Sequence, residues 1–157
     1  MRKGDVIPDF VLPDQDGNDF DIRNIKGKQN LVIYFYPKDD TPGCTKEACT
    51  FRDSMQDFDS LDAKVIGISA DASYSHKTFA EKYHLTFTLL SDEDKTVRRL
   101  FRVPGDLFGL LDGRVTYVVD KTGTVRHVFR SQLNAAKHAE EAKAALKKIE
   151  VEKKQNG

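Results

Sequence analysis

Cysteine is scarce in this chain: Cys44 and Cys49 are the only two in 157 residues. Two thiols so close in sequence cannot make the multiply bridged framework of a small secreted scaffold, and a pair of this kind is more often catalytic or metal-binding. A charge of one sign is missing too. Lys+Arg and Asp+Glu both number 25, so no long-range field is expected to recruit nucleic acid or an anionic membrane. No run of eighteen apolar residues occurs, and residues 1–17 hold no apolar stretch of signal-peptide length, so neither a membrane span nor a secretory leader is expected. The CxxC spacing of dithiol exchange enzymes is absent. His76, His84, His127 and His138 have no spacing suited to a metal, and no cofactor motif appears. Repeats, low-complexity segments and a second domain are all lacking.

What is present is organised around residues 31–53, LVIYFYPKDDTPGCTKEACTFRD. Residues 31–36 form a continuous apolar, β-branched and aromatic run, the pattern of a strand buried on both faces of a helix-covered sheet. Pro37 stops it. Thr41-Pro42 then reads as a helix start, with Thr41 as N-cap and Pro42 at the first helical position. Cys44 falls at the third position, among unsatisfied backbone N–H groups at the positive end of the helix dipole, and both favour a thiolate. Cys49 lies five residues on in the same predicted helix. That separation is about 7.5 Å of rise and roughly 8.6 Å between Cα atoms, beyond the ~7 Å that a disulfide spans. Either the two never pair, or the helix unwinds when they do.

The remainder predicts one domain over residues 1–151 with a frayed tail at 152–157. Residues 10–13 and 19–22 flank the turn Asp14-Gln15-Asp16-Gly17 as an N-terminal hairpin. The helix from Pro42 carries Phe51, Met55 and Phe58 as an apolar stripe. Residues 64–70 form a second buried strand, parallel to the first through its helical crossover. A helix capped by Ser73 or Ser75 presents Phe79 and Tyr83; residues 86–90 are a short strand; Asp92 caps a helix with Val97, Leu100 and Phe101. Leu107, Phe108, Leu110 and Leu111 sit in a turn-rich loop at 103–113, where that much apolar content usually covers or binds something. Residues 115–120 and 124–130 form an antiparallel hairpin. Asn134 caps a last helix with Ala139, Ala142, Leu146 and Ile149 on one face. The order gives an α/β architecture with a central mixed sheet flanked by helices.

Pro37-x-x-x-Thr41-x-x-Cys44 resembles the peroxiredoxin active-site motif. TPGCTKEACTFRD, with its second cysteine five residues after the first, is similar to the bacterioferritin comigratory protein or peroxiredoxin Q subfamily. The resemblance extends from GDVIPDFVLPDQDG through SADASYSHKTFAEKYHLTFTLLSD to GRVTYVVDKTG. VPGDLFGLLDGRVTYVVDKTG looks closer to plant and cyanobacterial members than to enterobacterial ones. It implies a thioredoxin-like peroxiredoxin fold, and a thiol-specific peroxidase for hydrogen peroxide and organic hydroperoxides. Cys44 would be peroxidatic and Cys49 resolving through an intrachain disulfide. Pro37, Thr41 and Arg114 complete the site, thioredoxin is the reductant, and no cofactor or metal is required. The resemblance leans to a monomer, in the cytoplasm or, if a transit peptide has been removed, the chloroplast stroma.

Each residue also has a plainer reading. Thr41 is a helix cap on any account; Arg114 alone would be a solvated strand end; Cys49 alone would be a core cysteine. Asp39 and Asp40 read as turn residues, and Glu47 as a carboxylate favourably placed near a helix start. A dithiol oxidoreductase that uses no peroxide, and a non-enzymatic redox sensor or binding protein whose helix melts on oxidation, are the competing functions.

Overall fold

The computed structural model describes residues 1–105 and 111–156. A short antiparallel hairpin, β1 (Val11–Pro13) with β2 (Asp19–Asp21), precedes a five-stranded sheet. Across the sheet the order is β5 (Thr88–Ser91), β4 (Ala63–Ser69), β3 (Asn30–Phe35), β6 (Val115–Val119), β7 (Val125–Arg130). β3, β4 and β5 are parallel, whereas β6 runs antiparallel to β3 and β7 antiparallel to β6, the latter as expected of the hairpin over 115–130. Every residue of β3 is buried, which accounts for its unbroken apolar run.

The strand's alternation divides the core. Val32, Tyr34 and Tyr36 face one layer with Phe51, Phe58, Phe79, Ala139, Ala142 and Leu146. These come from α1 (Pro42–Asp53), α2 (Met55–Ser60), α3 (Ser73–Tyr83) and α5 (Lys137–Asn156). Leu31, Ile33 and Phe35 face the other layer, which is built from the N-terminal hairpin and α4 (Thr96–Leu100). Helices thus cover one face, while the hairpin, a 3₁₀ turn at Ile22–Asn24 and the short α4 cover the other.

Several local expectations change. The helix from Pro42 is two helices, broken at Ser54, whose backbone (φ −101°, ψ 4°) leaves the helical region. Phe51 and Phe58 are both fully buried across the break, ring centroids 5.9 Å apart. Neither Ser73 nor Ser75 caps α3, whose N-cap is Ala72. Asp92 does cap, from a distance: its carboxylate accepts the backbone N–H groups of Val97 (3.1 Å) and Arg98 (2.9 Å). Asn134 opens a turn rather than the helix, since its carbonyl accepts the N–H of Lys137. The end expected to fray is helical to Asn156, with Arg126 of β7 donating to Glu152. Leu107, Phe108 and Leu110 lie outside the described residues; Leu111 is 42% exposed.

Candidate active site

β3 ends beside β4, with the Tyr36 N–H bonded to the Ile68 carbonyl, and the chain turns out at the carboxyl edge of the parallel strands. Residues 37–41 then lead into α1. Thr41 is its N-cap and Pro42 its first residue, as the sequence indicated, but the Thr41 hydroxyl makes no cap bond. It donates instead to the Lys38 carbonyl at 3.1 Å. The loop is held by its two aspartates, which point apart as adjacent residues in a turn do, and both reach α3. Asp40, at φ 58°, accepts from Lys82 Nζ and Tyr83 Oη, each at 2.8 Å.

Asp39 is more than a turn residue. Its carboxylate accepts from Tyr36 Oη (2.6 Å) and Ser75 Oγ (2.9 Å), and its Oδ2 lies 2.7 Å from His76 Nδ1. His76 Nε2 is 2.9 Å from the Leu90 carbonyl, which can only accept, so Nε2 carries a proton. One proton lies between Nδ1 and Oδ2, so a short buried hydrogen bond joins the pair. Asp71 adds a carboxylate oxygen that accepts the Asp39 N–H (2.8 Å) and Ser69 Oγ (2.7 Å). Asp39, Asp71 and His76 therefore converge as a metal site would, a juxtaposition that histidine spacing along the chain could not reveal. Their ligand atoms are already engaged with one another and with the loop, so the cluster acts as a brace.

Cys44 sits at the third position of α1 and is 1% exposed. Arg114, at the start of β6, is buried rather than solvated (4% exposed). Its Nη2 donates to Cys44 Sγ at 3.3 Å, and its Nη1 to Glu47 Oε1 at 2.6 Å. Gly43 leaves room for this, since a Cβ there would stand 3.0 Å from Arg114 Nη2. Cys49 is half-buried further along the unbroken helix, and both thiols are free. Pro37, half-buried, begins the loop. The structure thus joins Cys44 to Arg114 directly, while Thr41 and Pro37 shape the approach to the helix.

Glu47 departs most from expectation. It is fully buried, and removal from water pushes its carboxyl up to about 8 although Arg114 pulls the other way. Behind it lies His138 of α5, held down to about 4 mainly by burial and therefore neutral near pH 7. His138 Nε2–H donates to the Ser131 carbonyl (2.8 Å), which leaves Nδ1 to accept from Thr116 Oγ1 (2.7 Å). Glu47 Oε2 lies 3.5 Å from that same Nδ1 and has no hydrogen-bond partner. Burial and the lack of any partner at Oε2 both favour the protonated, neutral carboxyl. A neutral Glu47 leaves the charge of Arg114 for the sulfur. The one available sequence cue was spacing, because Glu47 is three residues from Cys44 and shares its helix face. His138 offered none.

The model of the AhpC/TSA family matches residues 3–128. The chloroplastic peroxiredoxin Q of Gentiana triflora is 55% identical over 141 residues, covering 90% of this chain and 64% of that protein. That of Sedum lineare is 51% identical over 149 residues, covering 95% and 80%. The chain thus spans just under two thirds of the Gentiana relative. Among solved structures, peroxidoxin BcpB from Mycobacterium tuberculosis superposes with a TM-score of 0.87 at 39% identity, covering 95% of this chain and 98% of that one. Peroxiredoxin Q from Xanthomonas campestris gives 0.79 at 36%, covering 88% and 89%.

Proposed function

Since the chain belongs to the AhpC/TSA family, with peroxiredoxin Q proteins among its relatives, we propose that it is a thiol peroxidase, reducing hydrogen peroxide and organic hydroperoxides at Cys44. The observation that carries this reading is the guanidinium of Arg114 against the sulfur of a cysteine in the first turn of a helix. A thiolate is the form that such donors stabilise, and it is the nucleophile. Cys44 S⁻ attacks one oxygen of ROOH, forming the S–O bond as the O–O bond breaks. The leaving RO⁻ takes a proton from solvent, giving ROH and Cys44–SOH. Negative charge grows on the departing oxygen in this step, and Arg114, with the loop from Pro37 to Thr41, supplies donors where it develops. The Thr41 hydroxyl would turn from the Lys38 carbonyl toward the peroxide.

Cys49 then resolves the intermediate: its sulfur displaces the hydroxyl from Cys44–SOH, and water and an intrachain disulfide result. Five residues of intact helix hold the Cα atoms roughly 8.6 Å apart, too far for the bond, so this step needs the first turns of α1 to unwind. An external dithiol, thioredoxin by family precedent, returns both thiols. One chain carries both cysteines, so the cycle needs no second copy. The plant relatives are named chloroplastic; a reducing stroma or cytoplasm suits a protein that works with free thiols.

A coupled assay of peroxide loss with thioredoxin, thioredoxin reductase and NADPH tests the proposal. Cys44→Ser should abolish turnover. Cys49→Ser should allow one round of oxidation and lose recycling by thioredoxin. Sustained turnover in the Cys44 variant would end the assignment, and disulfide exchange without peroxide consumption would favour the oxidoreductase alternative.

A further inference from the structure

The antiparallel ladder between β3 and β6 ends at the pair Phe35–Val115. Just beyond it the two chains part. One continues through Tyr36 into the loop that carries Cys44, and the other supplies Arg114, so whatever holds the strands together there sets the distance between sulfur and guanidinium. Among the described residues no backbone bond between them does so past that pair. A side chain does: Arg98 Nη2 donates to the Tyr36 carbonyl at 3.0 Å, and Arg98 Nη1 to the Gly113 carbonyl at 2.9 Å.

Arg98 comes from α4, on the opposite face of the sheet from α1, and is only 6% exposed. Among the described residues its guanidinium donates hydrogen bonds to those two carbonyls alone, and it lies 5.5 Å from the centroid of the Phe35 ring. A buried guanidinium with no carboxylate bonded to it is costly to maintain. Its own position is fixed from below, where Asp92 accepts the N–H groups of Val97 and Arg98. The far carbonyl is fixed as well. Gly113 lies so close to the Pro104 backbone that a Cβ would stand 1.9 Å from the Pro104 oxygen. A planar fork spanning two carbonyls is geometry that Arg supplies and Lys does not.

We propose that Arg98 is a positioning residue for the reaction at Cys44: it extends the β3–β6 ladder by one rung and thereby holds Arg114 against the thiolate. The inference rests on the peroxidase reading for its kinetic consequence and on the ladder geometry alone for its structural one. The test uses the full chain with Arg98→Met, which keeps apolar bulk but has no donors, and Arg98→Lys, which keeps charge but reaches only one carbonyl. Stopped-flow oxidation by hydrogen peroxide should slow at least ~10-fold in R98M and several-fold in R98K, since small misplacements of reacting groups are costly. Alkylation of Cys44 by iodoacetamide, followed at a pH high enough that the thiol is fully ionised in every variant, needs the thiolate but no aligned Arg114 and should stay within about 2-fold. A merely structural loosening would move both reactions together.

Amide exchange supplies a readout that needs no peroxide: protection at Tyr36 and Ser131, whose N–H groups bond the Ile68 and Arg114 carbonyls, should fall in R98M while the β4–β5 ladder is unchanged. Failure of the unsubstituted protein to reduce peroxide would count against the peroxidase reading, and the exchange result would still decide the clamp. If R98M does not fold, R98K decides alone. Wild-type oxidation with wild-type exchange protection in a folded R98 variant overturns the proposal, as does parallel loss of oxidation and alkylation.

Discussion

Two buried pairs of a histidine with an acid flank the loop and helix that carry Cys44, and they are built oppositely. Asp39 and His76 touch at 2.7 Å, and every donor and acceptor of the pair is engaged, by Tyr36, Ser75 and the Leu90 carbonyl. Glu47 and His138 stand 3.5 Å apart, and one Glu47 oxygen has no partner. The saturated pair ties residues 37–41 to α3, which the proposed cycle would leave in place. The acid of the unsaturated one lies on α1 between the two cysteines, on the turns that would unwind if Cys49 is to reach Cys44 as proposed. A polar group that is buried and incompletely bonded is cheap to release, whereas a fully satisfied buried pair is not. The loop is therefore anchored on every polar atom of its pair, whereas at Glu47 the helix after it is held by the bond to Arg114 alone.

The comparison is broken most severely at the anchor. Asp39→Ala strips the buried Tyr36 hydroxyl, Ser75 hydroxyl and His76 Nδ1 of their shared partner, and each buried polar group left unsatisfied costs about 1–3 kcal/mol. Glu47→Gln at pH 7 should cost no more than ~1 kcal/mol, because a glutamine is neutral, has the same shape and accepts from Arg114 as the protonated acid does. Urea unfolding of both variants checks this, and equal losses would mean that the two pairs are not built differently. Arg114→Ala comes next: oxidation should slow by roughly 10–1000-fold through loss of charge-assisted donors, with the fold intact by circular dichroism. A near-normal rate would return Arg114 to a structural role.

A pH series sharpens the contrast. Glu47 is raised from 4.5 to about 8 in the folded chain, so the native state holds the proton longer than the unfolded state. Its effect is that stability declines as pH rises from 4.5 through about 8. His138 is lowered from 6.5 to about 4, so there the unfolded state binds more protons and stability rises with pH across that interval. The two slopes oppose each other between about 4.5 and 6.5, and from about 6.5 to 8 His138 no longer offsets Glu47. Over that upper interval unfolding free energies should decline with pH more steeply in the natural protein than in Glu47→Gln. Identical slopes in the two would place the proton elsewhere.

The smallest effect is local. Conversion to the Cys44–Cys49 disulfide should speed amide exchange across residues 44–53, with α3 and residues 37–41 unchanged. It should also lower thermal stability slightly, since so short a loop restricts the unfolded chain little while Phe51 loses its stacking on Tyr34, now at 4.5 Å. Equal protection of residues 44–53 in both redox forms would show that no unwinding accompanies the bond.

Legibility in the sequence followed locality. The β3 run, the hairpins, the parallel crossover and the placement of Cys44 at the third position of α1 could all be read from patterns a few residues long. Where a side chain had a choice of partners, the same patterns misled. Thr41 occupies the N-cap but bonds Lys38, and Ser75, expected to cap α3, turns to Asp39. The break at Ser54 was hidden because Phe51, Met55 and Phe58 keep helical spacing across it.

By itself, then, the sequence determined the strand-turn-helix that presents a cysteine at a helix N-terminus and set the second cysteine out of bonding range, since both follow from backbone geometry over a dozen residues. Only the tertiary structure decided what surrounds that sulfur. Arg114 is 70 positions away from Cys44, Glu47 reaches Arg114 across 67, and Arg98 reaches the Tyr36 carbonyl across 62. The energies of these buried charges depend on solvent exclusion and ångström-scale distances, which no periodicity along the chain records.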